Sequence, residues 1–310
     1  MRIDKDLIKK MLNFEDVDTE LASYDKIRLY DLSYVELSDE ENEREIINQL
    51  ERNKKDNKIV GGDDRKIVWE NGWRENYEEL ISRKSVDALM SKYFRKDQPF
   101  RLFGRFVHSD NYKLDFELGR VLKSCLFEYY FEPFDSIYEF GCGTGFNLVE
   151  LASIYPQKKL FGSDYTSSSK EIIQFLREEM GFNIEAGVFD FYNPDNSIHL
   201  TPNSAVYTVA ALEQVGGRWE PFLAYLLRER PCLVLHMEPI EELYDTDNSV
   251  LDWMALEFHK KRNYLSGYYS KLLELESEGV IEILESHRLY FGNLNDESYS
   301  VVVWKPMGEN

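Results

Sequence analysis

A glycine-rich loop between a predicted strand and a predicted helix constrains the fold of this chain more than any other feature. The stretch Ser136–Phe140 is apolar enough to form a buried strand, and it is followed directly by Gly141, Gly143 and Gly145. Glycines at this spacing let the backbone turn sharply off the strand and let a ligand lie close against it, facing the N–H groups of the next helix. The loop therefore predicts a nucleotide-like ligand at the carboxyl end of a parallel sheet.

After the loop, short apolar runs alternate with helical patterns, which is typical of β-α units. The runs that predict strands are Ser136–Phe140, Lys159–Ser163, Asn183–Phe189, Ala205–Val209, Cys232–Met237, Val280–Tyr290 and Tyr299–Trp304. So few residues separate the last two runs that only an antiparallel pair can join them. The sequence therefore predicts an α/β fold, a Rossmann-like doubly wound sheet of five parallel strands plus a C-terminal antiparallel hairpin.

Residues 1–133 have a different texture, which predicts a mainly helical N-terminal region. Helical patterns cover about 76–94 and 114–130, and a charged, glycine-bearing stretch at about 53–66 predicts a flexible connection. The glycine loop belongs to the remainder of the chain. We therefore expect a second domain over 134–310 that holds the ligand.

Composition and charge narrow the classes of protein to which the chain can belong. Its 310 residues carry a formal net charge of −20, which repels the phosphate backbone of DNA or RNA. No run reaches the roughly 18 apolar residues of a membrane span, and the N-terminus has no secretory signal. Three cysteines without a Cys-x-x-Cys pair predict reduced thiols and no zinc site. We expect a cytoplasmic protein that binds neither nucleic acid nor membrane.

The residues around the glycines indicate which nucleotide-like ligand the loop takes. A dinucleotide fingerprint would read G-x-G-x-x-G, but here the spacing is G-x-G-x-G and Phe146 follows Gly145. Glu139 stands two residues before the first glycine, where its carboxylate would repel a pyrophosphate and attract a ligand with an ammonium and a sulfonium group. On these residues the chain resembles the class I S-adenosylmethionine-dependent methyltransferases, over roughly residues 115 to 305.

The resemblance implies a cofactor site for S-adenosylmethionine. Asp164, at the end of the second strand, would bind the ribose hydroxyls, and Asp190 would bind the adenine amino group with Phe191 beside the ring. Glu213 lies in the usual floor of the methyl-transfer site. The cofactor-binding residues that the resemblance implies are Glu139, Gly141, Cys142, Gly143, Gly145, Asn147, Asp164, Tyr165, Asp190, Phe191 and Glu213.

Candidate catalytic residues lie at the ends of the fourth and fifth strands, where ligands sit in open α/β sheets. They are Glu213, His236 and Glu238, and the last two share one face of their strand by period-two alternation. Two mechanisms stay open at this point. Either His236 or a neighbouring carboxylate is the general base for a hydroxyl acceptor, or Glu213 and Glu238 hold a divalent cation such as Mg²⁺ that lowers the pKa of that hydroxyl.

The acceptor itself is less constrained by the sequence. The candidate substrate-binding residues are Trp73, Arg105, His108, Gln214, Asp252, His259 and Arg262. Aromatic faces stack on sugar rings or apolar ligands, so the region 1–133 would act as a lid over the acceptor site. We expect methyl transfer to a small-molecule or carbohydrate hydroxyl. The alternatives are N-methylation of a small amine and a module that binds the cofactor without turnover, and the oligomeric state stays open.

Overall fold

A computed structural model of the protein describes residues 1–62, 65–95, 97–196, 198–297 and 299–308. The helices in these ranges are α1 (Lys5–Met11), α2 (Asp39–Lys55), α3 (Arg65–Arg83), α4 (Leu114–Phe131), α5 (Phe146–Ile154), α6 (Ser167–Glu178), α7 (Glu220–Glu229), α8 (Val250–Arg262) and α9 (Tyr268–Ser277). The strands are β1 (Val35–Glu36), β2 (Phe100–Leu102), β3 (Arg105–His108), β4 (Ser136–Phe140), β5 (Lys159–Asp164), β6 (Ile184–Val188), β7 (Ser204–Val209), β8 (Leu233–Glu238), β9 (Ile281–Arg288), β10 (Phe291–Gly292) and β11 (Ser300–Pro306).

The larger sheet is mixed and has the strand order β6-β5-β4-β7-β8-β11-β9. The pairs β4-β5, β4-β7, β5-β6 and β7-β8 are parallel, whereas β11 runs antiparallel to both β8 and β9. The chain leaves β4 toward β5 on one side and returns to β7 on the other. Ligands of open α/β sheets bind at such a reversal, outside the carboxyl ends of the strands. The predicted α/β class is confirmed, and the glycine loop stands at the reversal.

The antiparallel end of this sheet differs from a simple hairpin. β9 and β11 pair along their lengths, but the connection between them, 289–299, carries β10, which pairs with β2 in a second sheet. The residues that connect the two strands therefore leave the larger sheet and pair with a strand of the N-terminal region.

The N-terminal region contains strands as well as the helices α1 to α4: β1, β3 and β2 form a small antiparallel sheet that β10 completes. The turn between β2 and β3 consists of Phe103 and Gly104, and both have a positive φ, 49° and 73°. Two such residues define the tight turn that suits a two-stranded hairpin. The Phe103 N–H donates to the Tyr290 carbonyl (2.8 Å), and the rings of these two residues stack. The connection between β9 and β11 therefore holds the turn in place.

Two N-terminal predictions need correction. The helix expected at about 76–94 lies earlier, at α3, and short 3-10 turns at Val86–Leu89 and Lys92–Arg95 follow it. Part of the expected flexible connection is packed: Val60 is 1% exposed, and its N–H donates to the Arg262 carbonyl (2.8 Å). Residues 63 and 64 of that connection lie outside the described residues.

One apolar core joins the N-terminal region to the larger sheet. Ile8 of α1, Leu118 of α4 and Val301 of β11 are fully buried in the same cluster of side chains. Removal of apolar surface from water is the main force that would hold the two regions together. Within the described ranges, no helix combines the length and the apolar character that crossing a membrane requires.

Candidate ligand-binding and catalytic site

A cleft of about 650 Å³, including the open space at its mouth, lies where the strand order reverses. Its lining residues are Gly62, Arg65, Trp69, Trp73, Gly141, Asp164, Tyr165, Phe189, Asp190, Phe191, Tyr192, Ala210, Ala211, Gln214 and Val215. We call it the switch-point cleft. Its walls come from the loops that follow β4, β5, β6 and β7, and from α3.

The glycine loop forms one wall of the cleft by way of Gly141. Its φ of +74° is in the left-handed region, and a Cβ at this position would overlap the Cβ of Ala211 and lie 3.4 Å from the Phe191 ring. The absence of a side chain therefore lets the loops after β4, β6 and β7 meet. Gly143 has a φ of +51°, and a Cβ there would lie 2.9 Å from the Trp73 indole, so the second glycine lies directly beneath α3.

Helix α3 is held on this loop and on α6 by polar contacts as well as by Trp73. The Glu70 carboxylate accepts the backbone N–H groups of Ser167 (2.7 Å) and Ser168 (3.2 Å), and so caps the N-terminus of α6 from a distant helix. Arg74 donates to both carboxylate oxygens of Glu171, at 2.7 Å each. The N-terminal region thus builds part of the switch-point cleft, in which all the predicted cofactor-binding residues come from the part of the chain after residue 136.

The predicted ribose ligand, Asp164, is 6% exposed and lies on the cleft wall. Its carboxylate accepts the Gly143 N–H (3.1 Å), the Thr166 N–H (3.0 Å) and the Thr166 hydroxyl (2.8 Å). Burial raises the pKa of Asp164, which the three donors oppose. Asp190 also lines the cleft and accepts the Tyr192 N–H (2.9 Å). Both carboxylates are therefore positioned by the backbone that surrounds them.

Seven of the predicted site residues come together in this cleft. They are Trp73, Gly141, Asp164, Tyr165, Asp190, Phe191 and Gln214. Arg65, Tyr192 and Val215 line it too and were not predicted. The four-residue spacing of Trp69 and Trp73 on one helical face was the only signal in the sequence that α3 presents aromatic rings together.

Glu139 lies beneath the loop and not on the cleft wall. Its carboxylate accepts from the Asn147 amide (2.7 Å) and the Tyr207 hydroxyl (2.9 Å), and the Lys123 ammonium donates to the Asn147 oxygen (2.7 Å). Burial raises the pKa of Glu139 to about 8 and lowers the pKa of Lys123 to about 8. The predicted pair Glu139 and Asn147 is therefore part of a buried network under the glycine loop.

The other two loop residues have packing roles. The Cys142 Sγ lies 3.4 Å from the Ser169 hydroxyl, and burial raises the pKa of this thiol well above its usual value. Gly145 precedes α5 with a φ of +72°, and a Cβ there would overlap the Ile173 side chain. The Ile173 side chain of α6 therefore packs into space that a side chain at the start of α5 would occupy.

His236 does not reach the cleft. Its Nδ1 lies 2.9 Å from the Thr208 hydroxyl and its Nε2 lies 2.7 Å from the Tyr268 hydroxyl, inside the sheet and fully buried. Burial lowers the pKa of His236 to about 3. Both ring nitrogens are already bonded and the ring has no exposed surface, so this placement does not support His236 as the base.

Glu238 is likewise a buried structural group. Its carboxylate accepts the backbone N–H groups of Ala211 (3.0 Å), Leu212 (3.1 Å) and Glu213 (3.1 Å), at the start of the turn Leu212–Val215. Glu213 is half-buried on that turn and accepts from the Gln214 amide (2.7 Å). Burial raises the pKa of Glu213 well above its usual range, and the Glu238 carboxylate adds to the effect. Glu213 does not line the cleft, but it precedes Gln214, which does, and Glu238 fixes the turn that carries both residues.

The three α8 candidates take separate partners. Arg288 donates to both oxygens of Asp252 (2.6 and 2.9 Å), and His259 Nε2 lies 2.6 Å from the Asp296 carboxylate. Asp252 and His259 are buried on one side of α8, as their spacing predicts, but both bind groups from the C-terminal part of the chain. The predicted substrate residue Arg262 instead donates to Asp56 (3.0 Å).

Arg105 and His108 lie on the small sheet and do not line the switch-point cleft. Arg105 donates to Asp39 (2.8 Å), and His108 lies 3.4 Å from Asp97. In the part of the chain that the structure describes, no group of three or more His, Cys, Asp or Glu side chains is arranged to hold a metal ion. Both oxygens of Glu238 also accept backbone donors already.

No family model and no curated protein matches this chain. Among solved structures it is similar to an S-adenosylmethionine-dependent methyltransferase from Aquifex aeolicus (14% identity, 59% of this chain and 89% of that one, TM-score 0.40). It is also similar to the O-methyltransferase NcsB1 of neocarzinostatin biosynthesis (14%, 63% and 58%, TM-score 0.40) and to the cyclase SpnF (13%, 62% and 83%, TM-score 0.45). At these identities and TM-scores the likeness is too distant to carry a function.

Proposed function

We propose that the switch-point cleft binds S-adenosylmethionine and that the protein transfers its methyl group to a hydroxyl of a small molecule or carbohydrate. The observation that carries the proposal is the meeting of Gly141, Asp164 and Asp190 in one cleft. They come from the loop after β4, the end of β5 and the loop after β6, and each matches a position that the sequence resemblance gives to the cofactor. Residues far apart in the chain thus form one wall.

The chemistry of the cleft suits the adenosine part of this cofactor. Phe191 and Tyr165 offer flat apolar faces to a purine, and the Asp164 and Asp190 carboxylates offer acceptors for hydroxyl and amino groups. Two buried polar atoms of the lining, Arg65 Nε and Gln214 Oε1, have no hydrogen-bond partner among the described residues. Buried polar groups are normally paired, so these atoms are suited to a polar ligand.

The covering of the glycine loop disfavours a dinucleotide. A pyrophosphate would lie against the loop and the N-terminus of the following helix. Here Trp73 lies over Gly143, and the Thr144 hydroxyl donates to the Leu89 carbonyl (2.7 Å). Segments of the N-terminal region therefore take the space in which phosphates would bind.

When bound, S-adenosylmethionine supplies an electrophilic methyl group on a sulfonium. The protein's part is to bind and orient the two reactants and to receive the acceptor proton. Glu238 fixes the turn Leu212–Val215 with three hydrogen bonds, and the turn places Gln214 on the cleft wall beside Glu213. This turn is therefore the floor against which an acceptor would be positioned.

A transfer assay with methyl-labelled S-adenosylmethionine tests the proposal. We expect release of S-adenosylhomocysteine in the presence of a hydroxyl acceptor, with the label on oxygen in the NMR spectrum of the product. Label on nitrogen would favour the amine alternative, and binding without transfer would favour a non-catalytic module. Parallel reactions with EDTA and with added Mg²⁺ decide whether a cation takes part.

A further inference from the structure

A group of buried polar side chains is linked to Gln214 of the cleft wall through Tyr264. We call it the polar chamber, and its members are Arg101, Tyr244, Asp252, His259, Arg288 and Asp296. Each is at most 9% exposed. Arg101 Nε and Nη2, the Tyr244 hydroxyl, His259 Nδ1 and Arg288 Nε have no hydrogen-bond partner among the residues that the structure describes. Several unpaired polar atoms in one buried place indicate a site for a polar ligand.

These groups surround one another closely. The ring centroids of Tyr244 and His259 are 5.5 Å apart, and the Arg288 guanidinium lies 4.9 Å above the Tyr244 ring. Arg101 donates to the Leu251 carbonyl (2.9 Å) and interacts electrostatically with Asp296 and Tyr244. The unpaired donors and the imidazole therefore belong to a single cluster.

The imidazole of His259 is oriented by a carboxylate. A carboxylate only accepts hydrogen bonds, so the 2.6 Å contact between His259 Nε2 and Asp296 places the ring proton on Nε2. In the neutral imidazole, Nδ1 then carries the lone pair, and Nδ1 has no partner in the described part of the chain. A histidine oriented by a carboxylate, with its other nitrogen free, is the arrangement of a general base.

The chamber is next to the cleft. The Tyr264 ring lies 5.3 Å from the His259 ring, and its hydroxyl interacts with the Gln214 side chain. Gln214 lines the cleft, and both residues are half-buried. Tyr264 and Gln214 therefore link His259 to the cleft wall.

We propose that His259 is the general base of methyl transfer and that the polar chamber binds a neutral, oxygen-rich acceptor, a sugar or another polyol. The inference rests on the proposed function. The acceptor O–H bond breaks and its proton goes to His259 Nδ1, while the acceptor oxygen forms a bond to the methyl carbon. The carbon–sulfur bond breaks, and its electron pair stays on the sulfur.

The charges of the chamber select the class of acceptor. Asp252, Asp296 and the adjoining Glu297 set three carboxylates against the two guanidiniums of Arg101 and Arg288. This excess of negative charge disfavours a carboxylate on the acceptor. The unpaired guanidinium N–H groups disfavour an ammonium, because it too offers only donors. Hydroxyl and ether oxygens can accept from the guanidiniums, and a hydroxyl can donate to Nδ1.

The test uses the full chain with methyl glucoside, methyl galactoside, glucuronate, 4-hydroxybenzoate and butylamine as acceptors. We expect transfer to a methyl glycoside and not to the charged compounds. His259→Gln should lower kcat about 10²-fold or more and leave the Kd for S-adenosylmethionine unchanged. The matched control is His287→Gln, which removes a histidine that contacts a carboxylate, Glu285 (3.1 Å), on β9.

Two further variants separate a functional role from a structural one. Asp296→Asn should lower kcat with little change in the acceptor KM, because the amide can donate to Nε2 and so shift the ring proton to Nδ1. Asp296→Glu keeps a carboxylate at this position and should restore part of the lost kcat. Tyr244→Phe removes a hydroxyl that has no partner in the described structure, so the melting temperature should not fall. The acceptor KM should rise about 10-fold.

The outcomes separate this inference from the proposed function. If the protein does not bind S-adenosylmethionine, the proposed function fails. If it binds the cofactor and methylates a compound, but folded His259→Gln keeps its kcat, the assignment of the base is overturned. Transfer to only a charged compound, or to none of the five by protein that binds the cofactor, overturns the acceptor class.

Discussion

The packing of Trp73 on Gly143 gives a quantitative test of the role of α3. Gly143→Ala should destabilise the protein in two ways. A left-handed alanine costs about 1–2 kcal/mol, and a Cβ that lies 2.9 Å from the Trp73 indole should add about 1–3 kcal/mol of overpacking. Gly279 has a φ of +73° and open space around it, so Gly279→Ala should cost only the backbone part.

Urea unfolding of both variants, and of each in a Trp73→Ala background, measures the backbone cost and the overpacking cost separately. In that background Gly143→Ala should cost no more than Gly279→Ala, which gives a coupling energy of about 1–3 kcal/mol between Gly143 and Trp73. Calorimetry should show weaker binding of S-adenosylmethionine for Gly143→Ala and unchanged binding for Gly279→Ala. Equal costs for the two alanines, or a Gly143 cost that persists without Trp73, would refute the reasoning.

Three further predictions concern single groups. Asp164→Asn should weaken cofactor binding by about 1–3 kcal/mol in a calorimetric titration, because a charged acceptor is lost; an unchanged Kd would mean that Asp164 only orders its own loop. Glu70→Ala should lower the unfolding free energy by about 1 kcal/mol because α6 loses its cap, whereas the exposed Glu75→Ala on the same helix should change it by less than about 0.5 kcal/mol. The folded-state pKa of His236 is about 3 and the unfolded value is about 6.5, so the unfolded chain binds the extra proton between these values. Neutral His236 should therefore lower the free energy of unfolding by about 1.4 kcal/mol for each pH unit as the pH falls from about 6.5 toward 3. In urea titrations, His236→Gln should remove this contribution to the pH dependence.

The larger sheet could be predicted because its strands are apolar runs set between helical patterns. β4 was predicted at its observed bounds. The β2–β3 hairpin gave no such signal, because Phe103 takes a left-handed position that Asn or Gly usually occupies. Its conformation depends on Tyr290, far along the chain, which no local pattern encodes. The same holds for β10, whose pairing with β2 is entirely long-range.

Residues of the candidate site could be predicted where the order of the strands determines their position. They could not be predicted where burial determines whether a side chain reaches the cleft. Asp164 and Asp190 follow successive strands, so the topology brings them together. Period-two alternation placed His236 and Glu238 on one face of β8, but that strand is buried along its whole length, so neither face is open. The partnership of His259 with Asp296 was beyond prediction, since it depends on the path of the connection between β9 and β11.

The central claim is that the switch-point cleft takes S-adenosylmethionine. The most direct measurement is an isothermal titration of the purified protein with S-adenosylhomocysteine and, in parallel, with NAD. We expect S-adenosylhomocysteine to bind with one site per chain, Asp164→Asn to weaken it, and NAD to give no binding heat. Binding of NAD as tight as that of S-adenosylhomocysteine, or no binding of S-adenosylhomocysteine by folded protein, would contradict the account.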